Sequence, residues 1–100
     1  MSESKPNKQR KQRDQTQQSP KPEDIIRDVV RGLVRRPKEV QVSSHEHGSI
    51  LVLEVSVDDS DVGRVLGRSG RTFDLLKDLC VKMSGSYDMQ ILIELDTEEK

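Results

Sequence analysis

The run Val65-Leu66-Gly67-Arg68-Ser69-Gly70-Arg71 decides the reading of this chain, because two glycines three apart stand where one amphipathic pattern stops and another starts. Glycine has no Cβ, so it takes positive φ without steric cost and lets another backbone come close to its own. Amide N–H groups around such a pair face outward. A helix starting after Gly70 adds unpaired N–H donors in its first turn and the positive end of its dipole, and both favour an anion. Arg68 and Arg71 supply mobile positive charge. Together these are the parts of a phosphate cradle. Two glycines at this spacing are common by chance, so the flanking pattern has to carry the argument.

Immediately upstream, Asp58, Asp59 and Ser60 are N-cap residue types, so Asp61-Val62-Gly63-Arg64-Val65-Leu66 reads as a short helix running into the glycines. Downstream, Phe73, Leu76, Cys80 and Met83, with Leu75 and Leu79 beside them, form a helical stripe ending at Ser84-Gly85-Ser86. Met89, Ile91, Ile93 and Leu95 then alternate with Gln90, Leu92 and Glu94, the period of a strand. Nearer the start of the chain, Ile25, Ile26, Val29, Val30, Leu33 and Val34 recur at helical spacing, and Pro37 closes that helix shortly after Arg36. Val40 and Val42 alternate with Gln41 and Ser43, His45-Glu46-His47-Gly48 reads as a polar turn, and Ile50 to Val57 reads as a second strand of a hairpin. In that strand Leu51, Leu53, Val55 and Val57 face the core while Glu54 and Ser56 face out.

The resulting order is helix, strand, strand, helix, glycine loop, helix, strand. It resembles a type II KH domain, an α+β fold of order α-β-β-α-α-β with a three-stranded sheet and helices packed on one face. Val65 to Phe73 is similar to the KH signature: an aliphatic pair, Gly, two variable residues, Gly, and an apolar residue three further on. More narrowly, residues 23–96 resemble the KhpA family of small bacterial RNA-binding proteins, and Asp61 to Arg71 carry most of that resemblance. An Arg-Ser pair stands where the family often has Lys-Gln or similar.

The resemblance implies binding of single-stranded RNA in a groove between the helices flanking the glycine loop and an adjoining strand, as KH modules bind about four nucleotides. By position, Gly67, Arg68, Ser69 and Gly70 contact the RNA backbone, Gly63, Arg64 and Arg71 lie at the rim, and Leu66 lines the apolar floor. It also implies an RNA chaperone, linked in some bacteria to cell shape and cell-wall biogenesis, and partners that include a second copy of the chain and a larger KH protein of the KhpB (Jag) type. The competing reading is a protein-interaction module that acts mainly through such dimers. Uncovered apolar surface on the first helix and on the helix after the loop is its expected mark.

Composition sets bounds on both. One hundred residues with 31% apolar and 35% charged side chains make one small domain with a strongly solvated surface. No apolar run approaches the ~20 residues of a membrane span, and no signal-peptide pattern opens the chain, so no membrane role is expected and the cytoplasm is the expected location. The single cysteine, Cys80, forms no internal disulfide and reads as a small buried hydrophobe. Residues 1–22 hold six cations, Lys5, Lys8, Arg10, Lys11, Arg13 and Lys21, against Glu3 and Asp14, a balance of +4, so the rest carries −5 to reach the overall −1. With no aliphatic or aromatic residue after Met1, they read as a disordered basic tail, either an inert extension or a weak nucleic-acid arm. Residues 97–100 read as a frayed acidic end.

Enzyme readings find little support. Gly63 to Ser69 is one residue short of a P-loop spacing and has Arg in place of the phosphate-reaching Lys. His45 and His47 lack further converging ligands, and Asp58, Asp59 and Asp61 are accounted for by helix capping without EF-hand spacing. No catalytic constellation, metal site or cofactor is expected. Phe73 and Tyr87 are the sole aromatics, Phe73 reading as core and Tyr87 as a half-buried flank, so stacking platforms of the RRM or OB kind are not expected either. The −5 balance repels phosphate at long range, and Arg64, Arg68 and Arg71 must overcome it locally, which implies weak, salt-sensitive affinity.

Overall fold

The structure, a computed structural model, describes residues 20–97. The basic tail expected over residues 1–22 lies outside the described residues as far as residue 19, and the acidic end expected over 97–100 lies outside them beyond residue 97. The elements follow the expected order: α1 (Pro22–Arg31), β1 (Gln41–His47), β2 (Ile50–Ser56), α2 (Val62–Leu66), α3 (Arg71–Tyr87) and β3 (Gln90–Asp96).

β2 lies in the middle of the sheet, antiparallel to β1 and parallel to β3. A parallel neighbour cannot be reached by a tight turn, so the chain must cross over between β2 and β3. That crossover is α2, the glycine loop and α3. Strand alternation turns Val42, Leu51, Leu53, Val55, Ile91 and Ile93 to one face, where they meet Ile26 and Val30 of α1, Val65 of α2, and Leu76, Cys80 and Met83 of α3 in one buried cluster. The described residues thus form two layers, three helices over one face of a mixed sheet. Burial pushes the Cys80 thiol up to about 11, so it stays a neutral core group at physiological pH.

Three boundaries differ from expectation. α1 stops at Arg31 rather than near Arg36, and the Gly32 N–H bonds back to the carbonyls of Asp28 and Val29 at 3.3 and 3.0 Å. Leu33 and Val34 still pack against the core, but outside the helix. The reason lies in Asp61, a fully buried carboxylate whose two oxygens accept the backbone N–H groups of Arg35 and Arg36 at 3.1 and 3.0 Å. A buried charge demands donors, and these two amides meet the demand by leaving the helical pattern.

The hairpin turn also shifts. His45-Glu46-His47 is strand rather than turn, and β1 pairs with β2 out to His47 opposite Ile50, leaving Gly48-Ser49 as a two-residue loop. Gly48 takes φ 62, the sign a type II′ turn needs at its first central position. His45 and His47 point to the face of the sheet that no described element covers, where polar side chains are at home, and so they resemble turn residues in sequence. Lastly, α3 runs on through Ser84-Gly85-Ser86 to Tyr87 and ends at Asp88, in the left-handed region at φ 57. Ser84 makes this possible: its hydroxyl donates to the Cys80 carbonyl at 3.0 Å and accepts from the Ile91 N–H at 2.9 Å, tying the end of the helix to the start of β3.

Candidate nucleic-acid interface

The loop between α2 and α3 is built by three residues of positive φ: Gly67 at 77°, Ser69 at 55° and Gly70 at 75°. Gly67 ends α2, its N–H bonding to the Gly63 carbonyl at 2.9 Å, and its own carbonyl accepts from Gly70 N–H at 3.1 Å, closing a tight turn. The Arg68 and Ser69 N–H groups have no backbone acceptor among the described residues. Left-handed residues within such a turn gather N–H groups into a concavity that suits an anion.

The two glycines are needed for different reasons. A Cβ on Gly67 would overlap the Thr72 side chain and stand 2.8 Å from the Thr72 amide nitrogen, in addition to the strain of positive φ. A Cβ on Gly70 would meet no heavy atom within 4 Å, so there the constraint is dihedral alone. Ser69 holds its left-handed conformation without being glycine, a modest strain concentrated at the tip of the loop.

Charge around the loop is divided between free and engaged cations. Arg68 and Arg71 are exposed, and neither has an ion-pair partner among the described residues. Arg64, on the exposed side of α2 beside Gly63, instead lies with its Nε 3.4 Å from Asp61 Oδ1. Asp61 therefore joins three parts of the molecule, the turn after α1, the start of α2 and a rim arginine. It stands at the N-cap position of α2, but its side chain makes no cap hydrogen bond. Asp58 caps the 3-10 turn Asp59–Asp61 that leads into α2: its carboxylate accepts from the Ser60 hydroxyl at 2.5 Å and the Ser60 N–H at 3.0 Å, which with Arg36 nearby hold its carboxyl below the usual range.

Leu66 is 37% exposed beside the loop, in place to line an apolar floor. Phe73 is half-buried against the core, and the Lys77 ammonium lies 5.3 Å from its ring centroid, a cation–π distance. The ring is thus core on one side and covered by a cation on the other.

Between α3 and β3 runs a groove of about 390 Å³ lined by Lys77, Cys80, Val81, Ile91, Leu92, Ile93 and Glu94. Its strand wall is a sheet edge. Gln90 N–H bonds toward β2, to the Ser49 carbonyl at 2.9 Å, and Ile91 N–H turns the other way, to Ser84. The same alternation leaves the Ile93 N–H and C=O on the free edge, available to a ligand in the groove. Lys77 and Glu94 place one donor and one acceptor at its walls. The sequence pattern points to β3 as a strand but carries no sign that it is an edge, since that depends on which strand takes the centre.

The expected residues are neighbours along the chain: Gly63 and Arg64 lie on α2, Leu66 at its end, Gly67 to Gly70 in the loop, and Arg71 opens α3. A family model described as KhpA/KhpB, KH domain matches residues 23–90. The RNA-binding protein KhpA of Thermotoga maritima is 36% identical over 62 residues, which cover 62% of this chain and 83% of that protein. RNA-binding protein KhpA of Streptomyces coelicolor is 35% identical over 74 residues, covering 74% and 94% of the two chains. The Chlamydia pneumoniae protein of the same name is 29% identical over 72 residues, covering 72% and 91%.

Proposed function

The chain belongs to the KhpA/KhpB family of KH domains, and we propose that it binds single-stranded RNA in the cytoplasm and acts as an RNA chaperone, its KH domain occupying residues 23–96. The RNA backbone crosses Gly67, Arg68, Ser69 and Gly70, with Arg71, Gly63 and Arg64 at the rim and Leu66 beneath. The bases turn into the groove between α3 and β3. The observation that carries this reading is the conjunction at one loop of two N–H groups without backbone acceptors and two arginines without ion-pair partners among the described residues. The names of its relatives, all RNA-binding proteins, support the same ligand class.

Replacing Arg68 and Ser69 together with Asp puts two like charges against phosphate in place of donors. The double variant keeps its circular dichroism spectrum and loses most of its affinity for short single-stranded RNA in a fluorescence-anisotropy titration. Unchanged affinity in the folded variant would move the site elsewhere.

A second role, pairing with another copy or with a larger KhpB-type KH protein, is favoured by Leu75 and Val81 of α3, which are 67% and 68% exposed. α1 offers less, since Ile26 and Val30 are fully buried and Val29 is 37% exposed. Sedimentation equilibrium over a wide concentration range separates the two roles: a monomeric mass at high concentration with RNA binding intact would rule out the dimer as a requirement.

A further inference from the structure

With α1, α2 and α3 on one face of the sheet, no described element covers the other. The strand register gives that face four outward positions on each strand, and among the twelve are Glu54, Glu94 and Asp96 but no Lys or Arg. Glu54 and Glu94 stand directly opposite one another on the parallel strands, and Asp96 follows two residues on. Like charges so placed repel. The one group within ion-pair distance of any of them, among the described residues, is His45, whose Nε2 lies 3.5 Å from Glu54 Oε1.

Residues 1–19 carry Lys5, Lys8, Arg10, Lys11 and Arg13 against Glu3 and Asp14, a balance of +3 that matches the three acids of the face. They join the described chain at Pro20, whose carbonyl accepts the Tyr87 hydroxyl near the hairpin end of the sheet. Nineteen residues extend up to about 60 Å, while a seven-residue strand is about 23 Å long. The segment therefore reaches any point of the face. A second copy presenting the same acidic face is repelled from it, and so is an RNA phosphate. Tethering supplies the basic segment at an effective concentration in the millimolar range, enough for a contact made of weak exposed pairs.

We infer that the basic segment of residues 1–19 docks on the open sheet face against Glu54, Glu94 and Asp96, and that RNA competes with this face for the same cations. The second half rests on the RNA-binding reading, while the docking itself does not. An RNA strand that recruits the segment must draw it off the sheet, so the acidic face lowers the affinity of the resting molecule and favours return of the segment when RNA leaves.

Two full-length variants test this, one with Lys5, Lys8, Arg10, Lys11 and Arg13 changed to Gln and one carrying E54Q and D96N, which leaves Glu94 in the groove wall unchanged, together with their combination. In two-dimensional amide spectra, neutralising the segment shifts resonances of β2 and β3 around Glu54 and Glu94, and about 1 M salt reproduces the shifts by screening. Spectra unchanged at those residues, or changed only around Gly67 to Gly70, would overturn docking. In RNA titrations, E54Q/D96N raises affinity about fivefold when the segment keeps its cations and about twofold or less when it does not. Equal gains in both backgrounds would overturn the competition. Absence of RNA binding in every form would sink the RNA reading, and the spectra would still decide the docking.

Discussion

Thr72 fills the space where a Cβ on Gly67 would stand. Gly70, three residues on, faces open space at nearly the same φ. The two glycines of the loop should therefore respond unequally to alanine. Gly70→Ala meets the left-handed penalty alone and loses about 1 kcal/mol. Gly67→Ala adds a collision with Thr72 and with backbone, for a loss of about 2–4 kcal/mol. Urea unfolding of both variants checks the ranking, and equal losses would refute the collision.

Gly63 tells the opposite story. It lies exposed in α2, and a Cβ there meets nothing within 4 Å. Gly63→Ala should raise stability by about 0.5–1 kcal/mol through helix propensity, while on the proposed RNA reading its methyl group stands at the rim that the RNA backbone approaches. The expected result is a higher melting temperature with weaker RNA binding. A stability gain with unchanged affinity would remove Gly63 from the interface.

Asp61→Asn keeps one carbonyl oxygen but turns an NH2 group toward a backbone N–H that now has no acceptor. Leaving such a buried donor unmet costs about 1–3 kcal/mol. The loss should appear in chemical denaturation, and amide exchange at Arg35 and Arg36 should speed up in the same variant. Unaltered exchange there would mean that the carboxylate does not hold the turn.

The raised Cys80 thiol sets an alkaline limit. Its folded value, about 11 against an ordinary 9.0, lies above the unfolded one, so its contribution is complete below about pH 9 and drains away as pH rises toward 11. Cys80→Ala lacks this titration. Stability of the parent chain relative to Cys80→Ala should therefore fall across that window, by on the order of 2 kcal/mol, and a constant difference would contradict it. Asp58 acts at the other end: its lowered carboxyl value gives stability present at neutral pH that is lost as pH falls through the lowered value.

The element order, the glycine loop and the inward face of β2 were legible because local chemistry governs each of them: period, capping residue, absence of a Cβ. Leu51, Leu53 and Val55 are buried as their alternation requires. What could not be read was set by partners distant in sequence. Asp61 looks like one more capping acid, and its burial follows only from the approach of Arg35 and Arg36, 26 and 25 residues earlier. His45 and His47 look like turn residues because nothing local says that their face of the sheet lacks helices. The groove along β3 depends on β2 taking the centre, a fact of topology with no residue to announce it.

Because β3, among the described residues, pairs only with β2, across the crossover of α2 and α3, assembly of the molecule has a built-in sequence. The β1–β2 hairpin closes through a two-residue loop and can zip early, whereas the parallel pairing must wait for a long loop closure, the slow kind of contact. The ligand groove has α3 for one wall and β3 for the other, and so it has no existence in a partly folded chain. During synthesis β3 is also the last of these elements to leave the ribosome. A nascent chain therefore completes its glycine loop sequence before β3 is in place, and on the proposed RNA reading the two walls for the bases come together only with this last strand pairing.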